Sequence, residues 1–253
     1  MHLKSLWIAL STYSIIPTPQ IDWEDAKASS SIGFLPVIGV VCGAVGAGWY
    51  ALCLQAGFSC VLFSAVAVCI PLLITGGIHM DGYMDTVDAL ASHQPKERKL
   101  EILKDPHCGA FAVLYCGIYL VLSFGLIYEL YGMRLYSAVC LGFVLSRALS
   151  AVSALNIPRA RKDGMLAGYV RNTRKWPTTA AMICVAAVCC SFMALISPIP
   201  GIAATALPCV LLWLYQRLAM RQFGGVTGDT TGFFLQLCEL MILLGSWLGG
   251  LLS

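Results

Sequence analysis

Residues 28–80 read ASSSIGFLPVIGVVCGAVGAGWYALCLQAGFSCVLFSAVAVCIPLLITGGIHM, and none of them is Asp, Glu, Lys or Arg. A helix that crosses a bilayer needs about 20 predominantly apolar residues. This run is long enough for two such helices, and the segment QAGFS at 55–59 supplies the turn between them. It therefore predicts an all-α, polytopic integral membrane protein.

The rest of the chain has the same character. Residues 106–128 and 176–216 are also free of charged side chains, and SPIPG at 197–201 divides the second of these runs. Of the 253 residues, 58% are hydrophobic and 11% are charged, whereas a soluble domain is about 25% charged. This composition argues against a soluble domain, a secreted disulfide scaffold, a disordered chain and a nucleic-acid binder.

We predict about seven membrane spans within a single membrane-embedded catalytic domain, 1–253. Residues 1–20 are interpreted as an interfacial segment. The span at 201–217 is short, so six spans plus a re-entrant segment at that place is the alternative. The predicted spans lie near residues 33–54, 59–79, 109–130, 135–155, 177–196, 201–217 and 232–252.

The basic residues predict the orientation of these spans. Fourteen of the sixteen Lys and Arg residues fall before the first span or after the second, fourth and sixth spans. Arg134 lies on the opposite side, and Arg147 lies within a span. Because basic loops stay on the cytoplasmic side, the fourteen are predicted to face the cytoplasm of a bacterial or archaeal cell, with membrane lipid around the spans.

Three of the eight aspartates follow the second span closely, in GGIHMDGYMDTVD at 76–88. On a helix, Asp81, Asp85 and Asp88 fall within one arc of about 60°. No Lys or Arg occurs from 81 to 95, so these carboxylates need either a counterion or protonation. Oxygen ligands favour Mg²⁺, with Mn²⁺ as the alternative. A solvent-facing stripe on an amphipathic helix is the other interpretation.

A second cluster, GGVTGDTTG at 224–232, precedes the last span. Its glycines permit positive φ and close backbone approach, so the loop is a candidate phosphate cradle. The candidates for phosphate binding are Gly224, Gly225, Thr227, Gly228 and Thr230. Asp229 is a candidate metal ligand. Glu239 lies about two turns further along, and Arg147 is its expected partner, in an ion pair of structural or functional importance.

The third cluster is KDPHCGAF at 104–111, where a cytoplasmic loop enters the third span. Lys104 and His107 are candidate phosphate contacts, and Asp105 is either a further metal ligand or a helix cap. All three clusters fall on the basic side of the membrane. Acids for a metal, glycines for phosphate and bases for an anionic substrate together predict metal-assisted phosphoryl transfer.

These motifs resemble the cobalamin synthase family, the adenosylcobinamide-GDP ribazoletransferases. Residues 76–88 are similar to the family signature GGxHxDGxxDTxD, and residues 224–232 to GGxTGDxxG. Residues 98–111 and 10–19 resemble two further family segments, in the expected order along the chain. The chain departs from the family pattern at Tyr13 or Ser14, where an arginine is common, and at residues 106–108, which replace a Ser-Arg-hydrophobic triplet.

The resemblance implies a Mg²⁺-dependent transferase. Its substrates would be adenosylcobinamide-GDP and either α-ribazole or α-ribazole 5′-phosphate. Its products would be GMP and either adenosylcobalamin or adenosylcobalamin 5′-phosphate. As hypotheses for this sequence, Asp81 and Asp85 bind the metal, while Asp88 is the general base with Asp229 as its rival. The catalytic candidates are thus Asp85, Asp88 and Asp229, and the metal candidates are these three with Asp81 and Asp105.

Two alternatives remain at this stage. A CDP-alcohol phosphotransferase-like lipid enzyme also carries spaced aspartates on membrane helices, but its motif has an Ala-Arg pair after the first Asp-Gly, which residues 81–93 lack. A cation-coupled secondary transporter would place its acids near the bilayer midplane, where only Arg147 and Glu239 lie. The sequence leaves the oligomeric state open, including a homo-oligomer.

Overall fold

The computed structural model describes residues 2–19, 31–161, 165–171 and 173–253. The described chain is helical, with a single isolated bridge between Arg159 and Val226 as its β pairing, so the predicted all-α class is confirmed. A short 3₁₀ helix, Ser31–Phe34, leads into α2. The helices are α1 (His2–Tyr13), α2 (Leu35–Ala56), α3 (Cys60–Thr75), α4 (Ile78–Ala91), α5 (Lys96–Ile102), α6 (Ala110–Gly132), α7 (Tyr136–Asn156), α8 (Met165–Arg171), α9 (Lys175–Ile196), α10 (Pro198–Gln222) and α11 (Gly228–Leu251).

Six helices of the described chain are long and apolar enough to cross a membrane: α2 with its 3₁₀ turn, α6, α7, α9, α10 and α11. A seventh span requires α3 and α4 to be counted as one broken span, since the two helices are bent by 93°. The prediction of a multi-pass membrane protein with six or seven spans is therefore confirmed.

The alternative of a re-entrant segment at 201–217 is wrong. The helix at the predicted 201–217 span is α10, which has 25 residues and is long enough to cross. The break lies instead in the predicted 59–79 span, where α3 ends after 16 residues. Gly76 and Gly77 adopt φ values of 62° and 79°. Glycine reaches these left-handed values without the steric cost of a side chain, so two consecutive glycines turn the chain sharply.

Helix α7 forms the centre of the structure. In its most apolar 18-residue window, 83% of the residues are buried, against 22% in α6. It packs against α2, α9 and α11. Gly39 and Gly43 of α2 allow this contact, because a Cβ at either position would lie 2.4 Å from a backbone carbonyl oxygen of α7. Small residues at such crossings bring membrane helices close together.

The loops that carry the three sequence clusters gather at one end of the helices. The Ile15 amide donates to the Ile74 carbonyl at 2.9 Å, which joins the segment after α1 to the end of α3. The Lys99 ammonium donates to the Gln222 side chain at 2.5 Å, which joins α5 to the end of α10. The Val226 amide donates to the Pro158 carbonyl at 2.8 Å. These contacts hold in place the end of α3, helix α5 and the glycine-rich loop.

Candidate active site

Helix α4 lies against the beginning of α11 at two glycines. A Cβ on Gly82 would lie 2.9 Å from the Asp229 Cα, and one on Gly232 would lie 3.1 Å from the His79 carbonyl oxygen. A side chain at Gly82 would therefore collide with the α11 backbone. The glycine next to Asp81 thus brings the acidic face of α4 close to Asp229.

Four of the predicted aspartates form one electrostatic group around Asp85. The Asp85 pKa is raised to about 7, first by burial and then by the negative charges of Asp81, Asp229 and Asp88. Asp85 belongs to α4, outside the six long apolar helices. Asp81 is exposed, while Asp85, Asp88 and Asp229 are half-buried. The prediction that Asp81, Asp85 and Asp88 share a helix face agrees with this arrangement.

Asp88 is engaged in a different way from its neighbours. Its Oδ2 accepts from the Gly109 amide at 2.5 Å, and its Oδ1 accepts from the Ala112 amide at 2.9 Å. Gly109 is the N-cap residue of α6, and no side-chain cap is present in the helix itself. Asp88 therefore supplies the cap of α6 from another helix. This contact, which the sequence analysis missed, favours a positioning role over its predicted roles as base and metal ligand.

The glycine-rich loop has the backbone that its sequence predicts. Gly224 and Gly225 adopt φ values of 75° and 154°, and Gly228 is the exposed first residue of α11. Gly225 also allows the loop to pair with the segment after α7, because its Cβ would lie 2.4 Å from the Pro158 carbonyl oxygen.

The threonines of this loop hold the helix end together. The Thr230 amide donates to the Thr227 hydroxyl at 3.1 Å, and the Thr227 amide donates to the Thr230 hydroxyl at 2.9 Å, which is a reciprocal capping box. Tyr215 donates to the Thr230 hydroxyl at 3.2 Å. Both threonines are buried. Their hydroxyls are thus occupied within the protein, which leaves the backbone of Gly224 and Gly228 as the accessible part of the predicted cradle.

The third cluster is exposed. Asp105 accepts from the His107 amide at 3.0 Å and contacts the His107 ring at 2.6 Å. Both hydrogen bonds lower the Asp105 pKa. This arrangement does not place Asp105 with the carboxylates of α4. Lys104 is exposed on the same loop, which the Asp88 cap attaches to α4.

Two cationic side chains near the site make structural contacts that the sequence did not predict. Lys99 is only 5% exposed, and its partner is the Gln222 side chain. No local pattern indicates this burial, because the partner lies 123 residues away in sequence. Arg161 is half-buried, and its guanidinium donates to the Leu100 carbonyl.

The predicted partner of Glu239 is confirmed. Arg147 Nη1 lies 2.5 Å from Glu239 Oε1, and the two side chains are 1% and 6% exposed. Arg147 also donates to the Phe143 carbonyl at 3.0 Å. His79, in the first turn of α4, is buried and stacks on Tyr13 with ring centroids 6.0 Å apart.

Comparison with known proteins identifies the family. The family model described as cobalamin-5-phosphate synthase matches residues 5–247. The chain belongs to the cobalamin-5-phosphate synthase family. A relative from Lachnoclostridium phytofermentans, named adenosylcobinamide-GDP ribazoletransferase, is 42% identical over 94% of this chain and 91% of its own. Relatives of the same name from Desulfitobacterium hafniense and Clostridium botulinum strain Alaska E43 are 33% and 32% identical, each over 97% of both chains.

The resemblance seen in the motifs is thereby confirmed over nearly the whole length of the chain. No solved structure matches it. In this member of the cobalamin-5-phosphate synthase family, the family motifs at 76–88 and 224–232 are the segments that meet where Gly82 contacts Asp229.

Proposed function

We propose that this protein is an adenosylcobinamide-GDP ribazoletransferase. It transfers the adenosylcobinamide phosphate group to a free ribose hydroxyl of α-ribazole or α-ribazole 5′-phosphate and releases GMP. The names of its relatives support this reaction. The observation that carries it is the contact of Gly82 with Asp229, which unites the two motifs and brings Asp229 within electrostatic range of Asp85.

The donor set suits Mg²⁺ that is shared with a substrate. Carboxylate oxygens are its preferred protein ligands, and it usually takes one or two of them together with substrate phosphate oxygens and water. Within the described residues, no three His, Cys, Asp or Glu side chains are drawn together around one point. A site built from two carboxylates would leave the remaining positions of the metal to the substrate diphosphate and to water.

Asp81 and Asp85 are the proposed metal ligands. When bound, Mg²⁺ neutralises charge on the diphosphate and on the leaving oxygen. A cation bound there would offset the burial and the neighbouring negative charges that raise the Asp85 pKa. In the described part of the chain, no ion pair with a base does this for Asp81, Asp85 or Asp229.

Asp229 is the proposed proton acceptor. Its carboxylate accepts from the Thr227 hydroxyl at 3.4 Å, whereas both oxygens of Asp88 are taken by backbone amides. The attacking ribose hydroxyl of α-ribazole or its 5′-phosphate loses its proton to Asp229, and its oxygen bonds to the phosphorus attached to cobinamide. The bond from that phosphorus to the bridging oxygen breaks, and GMP leaves with this oxygen. The backbone of Gly224 and Gly228 and the side chains of Lys104 and His107 contact phosphate.

The proposed location is the cytoplasmic membrane of the cell, with the site on the cytoplasmic side. The loops at the site end of the helices carry most of the basic residues, and such loops remain in the cytoplasm.

The rival functions are less well supported. Residues 81–93 lack the Ala-Arg pair that a CDP-alcohol phosphotransferase carries after its first Asp-Gly. The Glu239 carboxylate, which a transporter would need to load with a cation, is already held by Arg147 in a buried ion pair.

GMP release tests the proposal. The purified protein in detergent is mixed with adenosylcobinamide-GDP and α-ribazole, with Mg²⁺ or with EDTA. We expect GMP and a cobalamin product with Mg²⁺, loss of both with EDTA, and recovery when excess Mg²⁺ is added. The variant D105N is the matched control, because Asp105 is an acid of the same end that lies apart from the α4 group. No GMP from the wild type would refute the function, and full turnover in EDTA would refute the metal.

A further inference from the structure

Arg161 belongs to a short segment that is fixed against the glycine-rich loop. Residues 157–161 follow α7 and pair with the loop in parallel, with Val226 donating to the Pro158 carbonyl at 2.8 Å and Ala160 donating to the Val226 carbonyl at 3.0 Å. Any side chain at Gly225 would strike this segment, since its Cβ would lie 2.6 Å from the Ala160 amide nitrogen. The position of Arg161 is therefore set by the loop that carries Asp229.

The Arg161 side chain is anchored on its other side by α5. Its Nη2 donates to the Leu100 carbonyl, and α5 is itself joined to the end of α10 through Lys99 and Gln222. The side chain is half-buried. A long cationic side chain held at its backbone and at its guanidinium loses little further entropy when it binds an anion.

Arg161 is close to Asp229 without forming an ion pair with it. It lies within electrostatic range of Asp229. In the part of the chain that the structure describes, however, it makes no ion pair with any carboxylate. A cation near Asp229 that no carboxylate of the described chain pairs with remains available to an anionic ligand.

We infer that Arg161 binds the diphosphate of the nucleotide-activated substrate, on the side opposite the acids of α4. This inference rests on the proposed function. The planar guanidinium presents several donors in a fixed arrangement and binds phosphate oxygens in pairs. As the bond to the leaving GMP breaks, negative charge grows on its phosphate, and a fixed cation stabilises that charge. Arg161 thus serves both binding and the chemical step.

The test compares R161Q and R161K with R159Q. Arg159 is a matched control because it is a cation of the same segment that is exposed and donates to the Ala167 carbonyl at 3.4 Å. For R161Q we expect about a 100-fold fall in kcat/KM for adenosylcobinamide-GDP, as for the loss of one charge-stabilising donor. Its Kd for adenosylcobinamide-GDP, measured without α-ribazole, should rise about tenfold, while the KM for α-ribazole should stay within about twofold.

R161K should lie between R161Q and the wild type, because lysine keeps the charge but not the paired donors. R159Q should remain within about threefold of the wild type in every constant. Thermal unfolding in detergent checks that each variant is folded. If R161Q is unfolded, the constants of R161K test the inference instead.

Three results would overturn the inference while leaving the function intact. The first is that R161Q, or R161K when R161Q is unfolded, keeps the wild-type kcat/KM and Kd for adenosylcobinamide-GDP. The second is that R159Q and R161Q lose activity equally. The third is that the loss in R161Q is confined to the KM for α-ribazole. If the wild type itself released no GMP, the proposed function would fail first, and an unchanged Kd in R161Q would then count against the Arg161 site separately.

Discussion

Asp88 of α4 caps helix α6 through the backbone amide of Gly109, at 2.5 Å, although 21 residues separate the two in sequence. The second bond, from Ala112 at 2.9 Å, completes the pair of amides that a local capping box would satisfy. The loop with Lys104 and His107 is consequently attached to the helix that carries the acids. An aspartate of the family motif therefore acts on the position of a neighbouring helix.

Removal of this cap gives the first prediction. We expect D88A to lower the free energy of unfolding by about 1–2 kcal/mol, because two helix-end amides lose their acceptor. D88N should lose less, since its amide oxygen can still accept one of the bonds. Urea unfolding in detergent measures both.

Measurements of Mg²⁺ binding show whether Asp88 acts as a helix cap or as a metal ligand. In calorimetric titrations with adenosylcobinamide-GDP present, the Mg²⁺ affinity of D88N should equal that of the wild type, while D85N should bind at least about tenfold more weakly. A loss in D88N as large as that in D85N would show that Asp88 is a metal ligand.

The second prediction concerns the packing of α4 on α11. A Cβ in G82A would meet the Asp229 backbone at 2.8–2.9 Å, so one helix must move. We expect a loss of about 1–3 kcal/mol in stability and a fall of about 100-fold in GMP release, since small displacements at a reaction centre are costly. G117A is the control, because Gly117 lies within α6 with nothing within 4 Å of its Cβ. Equal effects in both variants would contradict the close contact.

The third prediction follows from the Asp85 pKa of about 7. The unfolded chain has an aspartate pKa near 3.8, so the metal-free folded state binds this proton more tightly. Stability due to Asp85 is therefore present at low pH and is lost as the pH rises from about 4 to about 7. Because the side chain is partly exposed, we expect the loss to be about 1–2 kcal/mol.

Unfolding in EDTA across this pH range checks the effect. D85N should remove the loss, and D105N should not, because the pKa of Asp105 is lowered rather than raised. A wild type whose stability rises steadily between pH 4 and pH 7, in parallel with D85N, would argue against a crowded acidic site.

The fourth prediction addresses Arg147 and Glu239. E239Q leaves a buried guanidinium without its counter-charge and should cost about 3–5 kcal/mol. The double variant R147M/E239M removes both charges and should recover most of this stability. If the ion pair is structural, the double variant also releases GMP at near the wild-type rate. A stable but inactive double variant would assign the pair a functional role.

The sequence predicted the helical membrane class and the acidic face of α4, but it did not predict the break between α3 and α4. Charge-free runs and polar turns predicted the helical membrane class and nearly all the spans, because hydrophobic length is a local property. The acids of α4 were found for the same reason, since residues four apart share a helix face. The right-angle break at Gly76 and Gly77 was missed, because apolar residues continue across it.

Contacts between distant segments were beyond such patterns. The cap that Asp88 provides to α6, the burial of Lys99 and the pairing of residues 157–161 with Val226 all depend on tertiary packing. The hydroxyls of Thr227 and Thr230 were expected to face phosphate, yet a local capping box occupies them. A sequence shows which side chains can donate, and only the fold shows where their bonds are used.

The 93° turn between α3 and α4 also decides the direction in which the acidic helix runs. Helix α3 packs beside α2 and α6, which are long and apolar enough to cross a membrane, whereas α4 leaves the direction of α3 almost at a right angle. A pair of glycines therefore takes the chain out of line with an apolar helix and brings the acidic helix against the beginning of α11.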